Sequence, residues 1–379
     1  MPQGFETAEF KARLTRAQSR MDAADLDAIL LTTEPDIRYF TGYLTRFWES
    51  PCRPWFLVLP RSGDPIAVIP SIGAPLMAQT WITDIRTWRA PDLEDDGISL
   101  LAETLRALGP RIGTPSGLQS HLRMPLDDFA RLNATLPQPI EADADILRSL
   151  RLVKSEAEIE KIKTACQIAT RAFVRVPEIA LIGQPLAPVF RDFQRLCLDE
   201  GADWVPYLAG AAAPGGYGDV ISPANDRPLE AGDVLMLDTG LVHDGYFCDF
   251  DRNFAVGIPS PDVAAGHGRL IEATYAAFEA ARPGNTAAEL FHVMDKIVTG
   301  GAGGSEAGRY GHGLGMNLTE WPSLIPTDHT PLVSGMVLTL EPGIELAPGR
   351  TLVHEENIVI RDHGAEWLSQ PYGAEMVRI

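Results

Sequence analysis

The chain has 379 residues, more than one hydrophobic core usually serves, so its length predicts two domains, each able to bury a substantial interior. An apolar fraction of 45% with 22% charged residues is that of an ordinary soluble globular protein and excludes low-complexity disorder. A net charge of −19 repels phosphate backbones and sets nucleic acid aside as a partner, without naming a substrate.

The opening, MPQGFETAEFKARL, carries Glu6, Glu9 and Lys11 where a secretion signal needs an apolar stretch, and no later run reaches membrane-spanning length. Cys52, Cys166, Cys197 and Cys248 lie far apart without CxxC spacing, so neither a disulfide framework nor a thiolate zinc site is indicated. A reducing cytoplasm is the expected location, with no membrane as partner.

From Phe5 to about Met21 the apolar spacing is helical, and Asp27-Ala-Ile-Leu-Leu-Thr-Thr reads as a buried strand ending before Pro35. Strands follow in Trp55-Phe-Leu-Val-Leu and Pro65-Ile-Ala-Val-Ile, separated by the turn Arg61-Ser-Gly-Asp64. Residues up to about 145 therefore read as an α/β domain, without a phosphate-binding glycine loop. Near Ile146–Lys154 the pattern changes. Ser155-Glu-Ala-Glu158 offers a capping box ahead of a long amphipathic helix to about Val176, which puts a domain boundary near 150, giving domains 1–150 and 151–379. Beyond it the sequence predicts a helix before Gly201, a strand Asp233–Asp238, a return strand from about Tyr246 to Val256, and helices from about 261 to 298. Three closing strands, Met336–Glu341, Thr351–Glu355 and Asn357–Ile360, complete an antiparallel sheet with helices on one face. The fold class is α/β (α+β).

Five metal-type ligands fall in this second half: Asp238, Asp249, His312, Glu341 and Glu355. Asp238 ends an apolar strand before Thr239-Gly240. Asp249 comes eleven residues later, past the turn His243-Asp-Gly245, which is hairpin spacing that brings both carboxylates to one end of a sheet. Either Asp alone reads better as a turn cap facing water. His312 sits in Tyr310-Gly-His-Gly-Leu-Gly315, where glycines let backbone approach a ligand and a neutral imidazole can bind metal. Glu341 precedes Pro342-Gly343, and Glu355 precedes Glu356-Asn357. Four carboxylates and an imidazole form a hard donor set suited to Mn, Co, Fe or Zn, and too anionic to stay buried without cations. Of the remaining histidines, His354 is expected to be structural, His243 exposed in its turn and His292 packed on a helix.

In LMLDTG, YFCDFDRNF, YGHGLG, LTLEPG and VHEENIVI the set resembles the creatinase, prolidase and methionine aminopeptidase family, whose catalytic half has the pita-bread fold. RMDAADLDAILLTTEPDIRYFTGY resembles the opening of the amino-terminal domain of the two-domain branch, and LRLVKSEAEIEKIKTACQIA its interdomain helix. The resemblance implies two divalent ions, with Asp238 on one, His312 and Glu341 on the other, and Asp249 and Glu355 shared. It implies that Glu341 shuttles protons, that a hydroxide held between the ions attacks a polarised carbonyl, and that the protein forms a homodimer. The neighbours Glu356-Asn357 match the pattern after the family's last ligand, which favours Glu355 over Glu356.

The chain departs from the family at two further histidines, which contact the substrate carbonyl and leaving group. The first falls within Tyr217–Pro223 and the second at Thr319. In their place Tyr217, Asp219, Glu320 and Trp321 are candidates to line the substrate site, or else are turn residues and a core aromatic. Arg46, Trp48 and Arg53 mark an aromatic, arginine-bearing loop suited to holding a carboxylate and covering a pocket, or to simple packing. The expected activity is hydrolysis of a C–N bond in a short peptide, as in Xaa-Pro dipeptidases and aminopeptidase P. A metal-dependent lyase or hydrolase of a small zwitterion is the alternative, and a metal-free binding module the least favoured.

Overall fold

The first helix, Thr7–Ala23, buries Phe10, Leu14, Ala17 and Met21 on one face, the spacing that marks it in the sequence. The computed structural model describes residues 4–50, 54–303 and 308–379, so Cys52 and Arg53 lie outside the described residues. The chain divides into two compact units, residues 1–151 and 152–379.

In the first unit Ala28–Leu31 sits inside a six-stranded mixed sheet, between Phe56–Pro60, antiparallel to it, and Ile112–Thr114, parallel to it. Ile66–Pro70 extends the sheet beyond Phe56–Pro60. The expected first strand is shortened because Thr33 already caps the helix Glu34–Thr41, whose first turn accepts Pro35. The outer strands Asp84–Trp88 and Glu141–Ala142 escape a pattern reading, one half-exposed along most of its length and the other only two residues long. Leu30, Phe56, Val58, Val68, Leu101, Leu105 and Leu132 form this unit's core.

In the second unit the capping box forms as the sequence predicts. Ser155 Oγ accepts from Glu158 N at 3.3 Å, Glu158 Oε2 accepts from Ser155 N at 2.9 Å, and the helix runs Glu156–Val174. Further helices are Leu186–Asp199, Pro261–Ala280 and Ala287–Val298.

The strands build two sheets rather than one. The first runs Val377–Arg378, Phe250–Ala255, Asp233–His243, Trp204–Pro214, with Tyr246–Phe247 also paired to Asp233–His243. The second runs Glu320–Ser323, His312–Gly313, Val337–Leu340, Glu356–Arg361, Gly364–Trp367. Gly343–Ala347 and Arg350–Val353 form a separate ribbon. Pairing is antiparallel except between Phe250–Ala255 and Val377–Arg378. Trp204–Pro214 reads Trp-Val-Pro-Tyr-Leu-Ala-Gly-Ala-Ala-Ala-Pro, too poor in β-branched residues to announce a strand. Its small residues answer packing: a Cβ on Gly210 would stand 2.3 Å from the Met236 carbonyl oxygen and 2.8 Å from the Phe190 ring.

Candidate metal centre

Asp238 and Asp249 come from one hairpin. His243 pairs with Tyr246 across Asp244 and Gly245, both at positive φ (45° and 80°), a two-residue turn suited to twisted strands. Asp238 lies inside the strand Asp233–His243, opposite Asp251, and not at the strand's end as the sequence suggested. Asp249 occupies the break between Tyr246–Phe247 and Phe250–Ala255, where the extra chain re-aims its side chain. The hairpin tip is packed inward: Asp244 is buried and ion-paired with Lys161, and His243 is half-buried rather than exposed. His292 reverses its expectation too, lying exposed on its helix.

His312 comes from the second sheet. Its flanking glycines serve strand closeness more than ligand access, since a Cβ on Gly311 would stand 2.2 Å from the Thr339 carbonyl oxygen and one on Gly313 2.0 Å from that of Trp321. Thr339 Oγ1 accepts from His312 N at 3.1 Å. His312 Nδ1 faces the Gly313 carbonyl at 2.8 Å, and because a carbonyl only accepts, Nδ1 carries the proton and Nε2 presents a lone pair. That Nε2 is 3.3 Å from Asp249 Oδ2.

Glu341 follows the strand Val337–Leu340, its backbone N–H held by the Tyr310 carbonyl at 2.9 Å. Glu355 stands immediately before Glu356–Arg361 instead of ending the strand ahead of it, and its N–H donates to Asp251 Oδ1 at 3.2 Å. One donor atom each from Asp249, His312 and Glu355 lies within 4.8 Å of the other two. The charge of Asp249, one of the trio, raises the carboxyls of both Asp238 and Glu341.

The electrostatics are those of anions without enough cations. Burial, then the like charges of Asp249, Asp251 and Glu341, drives the Asp238 carboxyl far above its usual range. Burial, then Asp249, Glu341 and Asp238, does the same to Glu355. Burial raises Asp249 against the pull of His312, and burial pushes Glu341 up to about 7. Among the described residues, Asp238 Oδ1, Asp251 Oδ2 and Glu355 Oε1 are buried without a hydrogen-bond partner. Buried carboxylate oxygens left bare are expensive unless a cation meets them, so the donor set fits divalent metal.

Two family models cover most of this chain: Metallopeptidase family M24 matches residues 160–362, and the Creatinase/Prolidase N-terminal domain matches residues 13–153. The chain is 30% identical over 359 residues to a probable dipeptidase PepE of Mycobacterium tuberculosis, covering 94% of this chain and 93% of the relative. The chain belongs to metallopeptidase family M24. An Xaa-Pro dipeptidase of Pyrococcus horikoshii is 27% identical over 92% of this chain and 94% of its own. The crystal structure of dipeptidase PepE from Mycobacterium ulcerans superposes with a TM-score of 0.85 at 30% identity, over 99% of both chains. This M24 metallohydrolase thus has the two-domain architecture expected from its motifs, a creatinase-like α/β domain followed by a pita-bread fold.

Several residues beyond the five candidates shape the centre, and although Asn357 and Asp251 fall inside its sequence motifs, the sequence reading assigns neither of them a supporting role. Asn357 grips Asp249 from both sides: its Oδ1 accepts from Asp249 N at 3.0 Å and its Nδ2 donates to the Asp249 carbonyl. Tyr207, on the strand the sequence hid, donates its hydroxyl to Asp238 Oδ2 at 3.1 Å. Asp251, two residues past Asp249 and inside the strand Phe250–Ala255, accepts from Glu355 N.

The residues expected at the substrate site mostly take structural places. Tyr217 is fully buried in the core, donating to Asn253 Oδ1 at 3.0 Å and accepting from Val353 N at 2.7 Å, so it braces two strands. Asp219 is exposed and caps its own turn through Ile221 N and Ser222 N at 3.0 and 2.8 Å. Glu320 is buried against Lys154 Nζ at 3.1 Å. Trp321 is half-buried on the strand paired with His312–Gly313. Within the first unit Trp48 is buried against Trp55 and beneath the Arg123 guanidinium, 5.1 Å from its ring, which is the packing alternative, while Arg46 is exposed.

Proposed function

We propose that this M24 enzyme is a dinuclear metal-dependent dipeptidase of Xaa-Pro type, cutting the amide bond of a short peptide. The observation that carries the reading is the pair of bare, buried carboxylate oxygens, Asp238 Oδ1 and Glu355 Oε1, beside the Asp249–His312–Glu355 donor cluster. Asp238 would hold one ion, His312 and Glu341 the other, with Asp249 and Glu355 shared between them; Mn, Co, Fe or Zn all suit these donors. Such ions supply Lewis-acid polarisation of the scissile carbonyl and a nucleophile at neutral pH.

The protein's own groups do the rest. Asn357 and Thr339 fix the Asp249 and His312 backbones, so the ligands are aimed before substrate arrives. His312 presents Nε2 because Nδ1 is committed to the Gly313 carbonyl. Glu341 carries the proton from attacking water to leaving amine. Residues 1–150 form the creatinase-type domain and 151–379 the catalytic one. The reading extends to a homodimer, in keeping with the family, acting in the cytoplasm, where free thiols such as the buried Cys166, Cys197 and Cys248 stay reduced.

Release of the residue ahead of proline from Ala-Pro or Gly-Pro, lost on chelation and restored by Mn²⁺ or Co²⁺, is the expected result. Metal-loaded protein inactive across a dipeptide panel would overturn the reading. Turnover of a small zwitterion in the same screen would favour the alternative chemistry, for which the replacement of an expected histidine by Thr319 is the supporting observation.

A further inference from the structure

Asp251 is buried within the strand Phe250–Ala255, directly opposite Asp238 in the antiparallel register. Residues so paired project from the same face of a sheet with Cβ atoms about 4.5–5.5 Å apart, and like charges set opposite one another repel. The Asp251 carboxylate therefore stands on the face that carries Asp238. Its Oδ1 accepts from Glu355 N at 3.2 Å, which ties the same side chain to a second proposed ligand. Among the described residues its Oδ2 is buried and meets no donor, a condition it shares with Asp238 Oδ1 and Glu355 Oε1.

The protein's own cations are engaged elsewhere. Arg252, the next residue, gives its guanidinium to Glu356 Oε2 at 3.0 Å and to the carbonyls of Asp251, Glu355 and Gln370. His354 Nδ1 lies 3.7 Å from Asp251 Oδ1, the oxygen already bonded, and its Nε2 turns to Glu356 Oε1 at 3.4 Å. Asp251 is 1% exposed, so a carboxylate oxygen without a donor is expensive there, and folding has set it beside two ligands whose free oxygens have the same need. Support of the Glu355 backbone requires Oδ1 alone and would be served as well by a neutral acceptor. The second, charged oxygen is what a divalent ion takes.

We propose that Asp251 is a further metal ligand, its Oδ2 joining Asp238 and Glu355 on the ion at the Asp238 side of the centre. The inference rests on the dinuclear reading and deepens it: the donor set becomes five carboxylates and one imidazole. The Asp238 side is then all oxygen and holds its ion more tightly, while the His312 side keeps the nitrogen donor, so the two positions differ in strength and in the hardness of the ion they prefer.

Crystals of the full chain grown with Zn²⁺, with the ions located by anomalous scattering, should place one ion about 2.0–2.2 Å from Asp251 Oδ2. In solution, Asp251→Asn keeps an oxygen for Glu355 N and removes the charge. Calorimetric titration of the chelated variant with Zn²⁺ should show one ion weakened by more than about a hundredfold, beyond the roughly 10- to 100-fold of a residue that only steadies a ligand, and the other retained within several-fold. Denaturant unfolding of the metal-free variant should show no loss of stability. Zinc held by the other five ligands, with Asp251 Oδ2 outside coordination range, would overturn the inference and leave the dinuclear reading standing. So would a variant with both zinc affinities unchanged and a less stable metal-free fold, which is how a carboxylate serving only His354 behaves. Crystals with zinc at neither position would overturn the dinuclear reading and this inference together.

Discussion

Glu355 and Glu356 are adjacent, both buried, and live in opposite electrostatic worlds. Burial opposes ionisation of Glu356, but Arg252 Nη2 at 3.0 Å, His354 Nε2 at 3.4 Å and the Ser369 hydroxyl outweigh it and hold the carboxyl below its usual value. Tyr372 N adds a donor at 2.8 Å. Glu355 meets the opposite set: Asp249, Glu341 and Asp238 around it, no hydrogen bond to Oε1, and a carboxyl driven far up. One side chain is neutralised by the protein's own cations; the other waits for cations from solution. The contrast marks where folding energy ends and cofactor binding begins.

Substitutions can break that contrast, and the largest effect is expected at the carboxylates proposed to be shared between two ions. Asp249→Ala should abolish turnover, a loss beyond about a thousandfold, with metal content falling to background by elemental analysis, because the trio loses the carboxylate 3.3 Å from His312 Nε2. Next come the neighbouring glutamates with opposite signs. Glu356→Gln should destabilise the fold by about 3 kcal/mol in denaturant unfolding, since Arg252 is left buried without its carboxylate. Glu355→Gln should raise the melting temperature of chelated protein at about pH 8, because it removes a buried carboxyl whose ionisation the metal-free fold opposes, while metal affinity collapses. Equal destabilisation by both changes would erase the distinction drawn here.

A more modest effect belongs to Asn357→Ala, which releases the Asp249 backbone and should weaken metal affinity by roughly 10- to 100-fold, read by competition with a chelating dye. pH sharpens the same picture in the metal-free protein. Glu341 has its folded value raised to about 7 from an ordinary 4.5, so the native state binds the extra proton. That contribution to stability is present below the unfolded value and is lost as pH rises through the folded one, so chelated protein should weaken between these limits. Added Mn²⁺ should reverse the trend, since metal requires the ionised carboxylates. The smallest change is Thr339→Val, costing about 1 kcal/mol through the lost acceptor for His312 N.

The gathering of Asp249, His312 and Glu355 was legible because strand, turn and glycine signals fall at the right intervals around them, and the second unit's opening helix because Ser155-x-x-Glu158 announces it. What supports the ligands was not legible. Tyr207 sits on a strand of alanine, glycine and proline whose composition is set by Phe190 and Met236 packing against Gly210. Asn357 and Thr339 matter through pairing between strands distant in sequence, which no local pattern encodes. Tyr217 misled for a related reason: a tyrosine near a turn looks like a site residue until its hydroxyl is seen spanning Asn253 and Val353. Even Asp238 was misplaced, since Thr239-Gly240 reads as a strand end although the pairing runs on to His243.

Calorimetric titration of chelated protein with Mn²⁺ near neutral pH, in two buffers of different ionisation enthalpy, tests the central claim most directly. Two ions per chain should bind, with release of protons from carboxyls that the metal-free fold had kept protonated. Absence of binding, or binding with the same apparent enthalpy in both buffers, would contradict it.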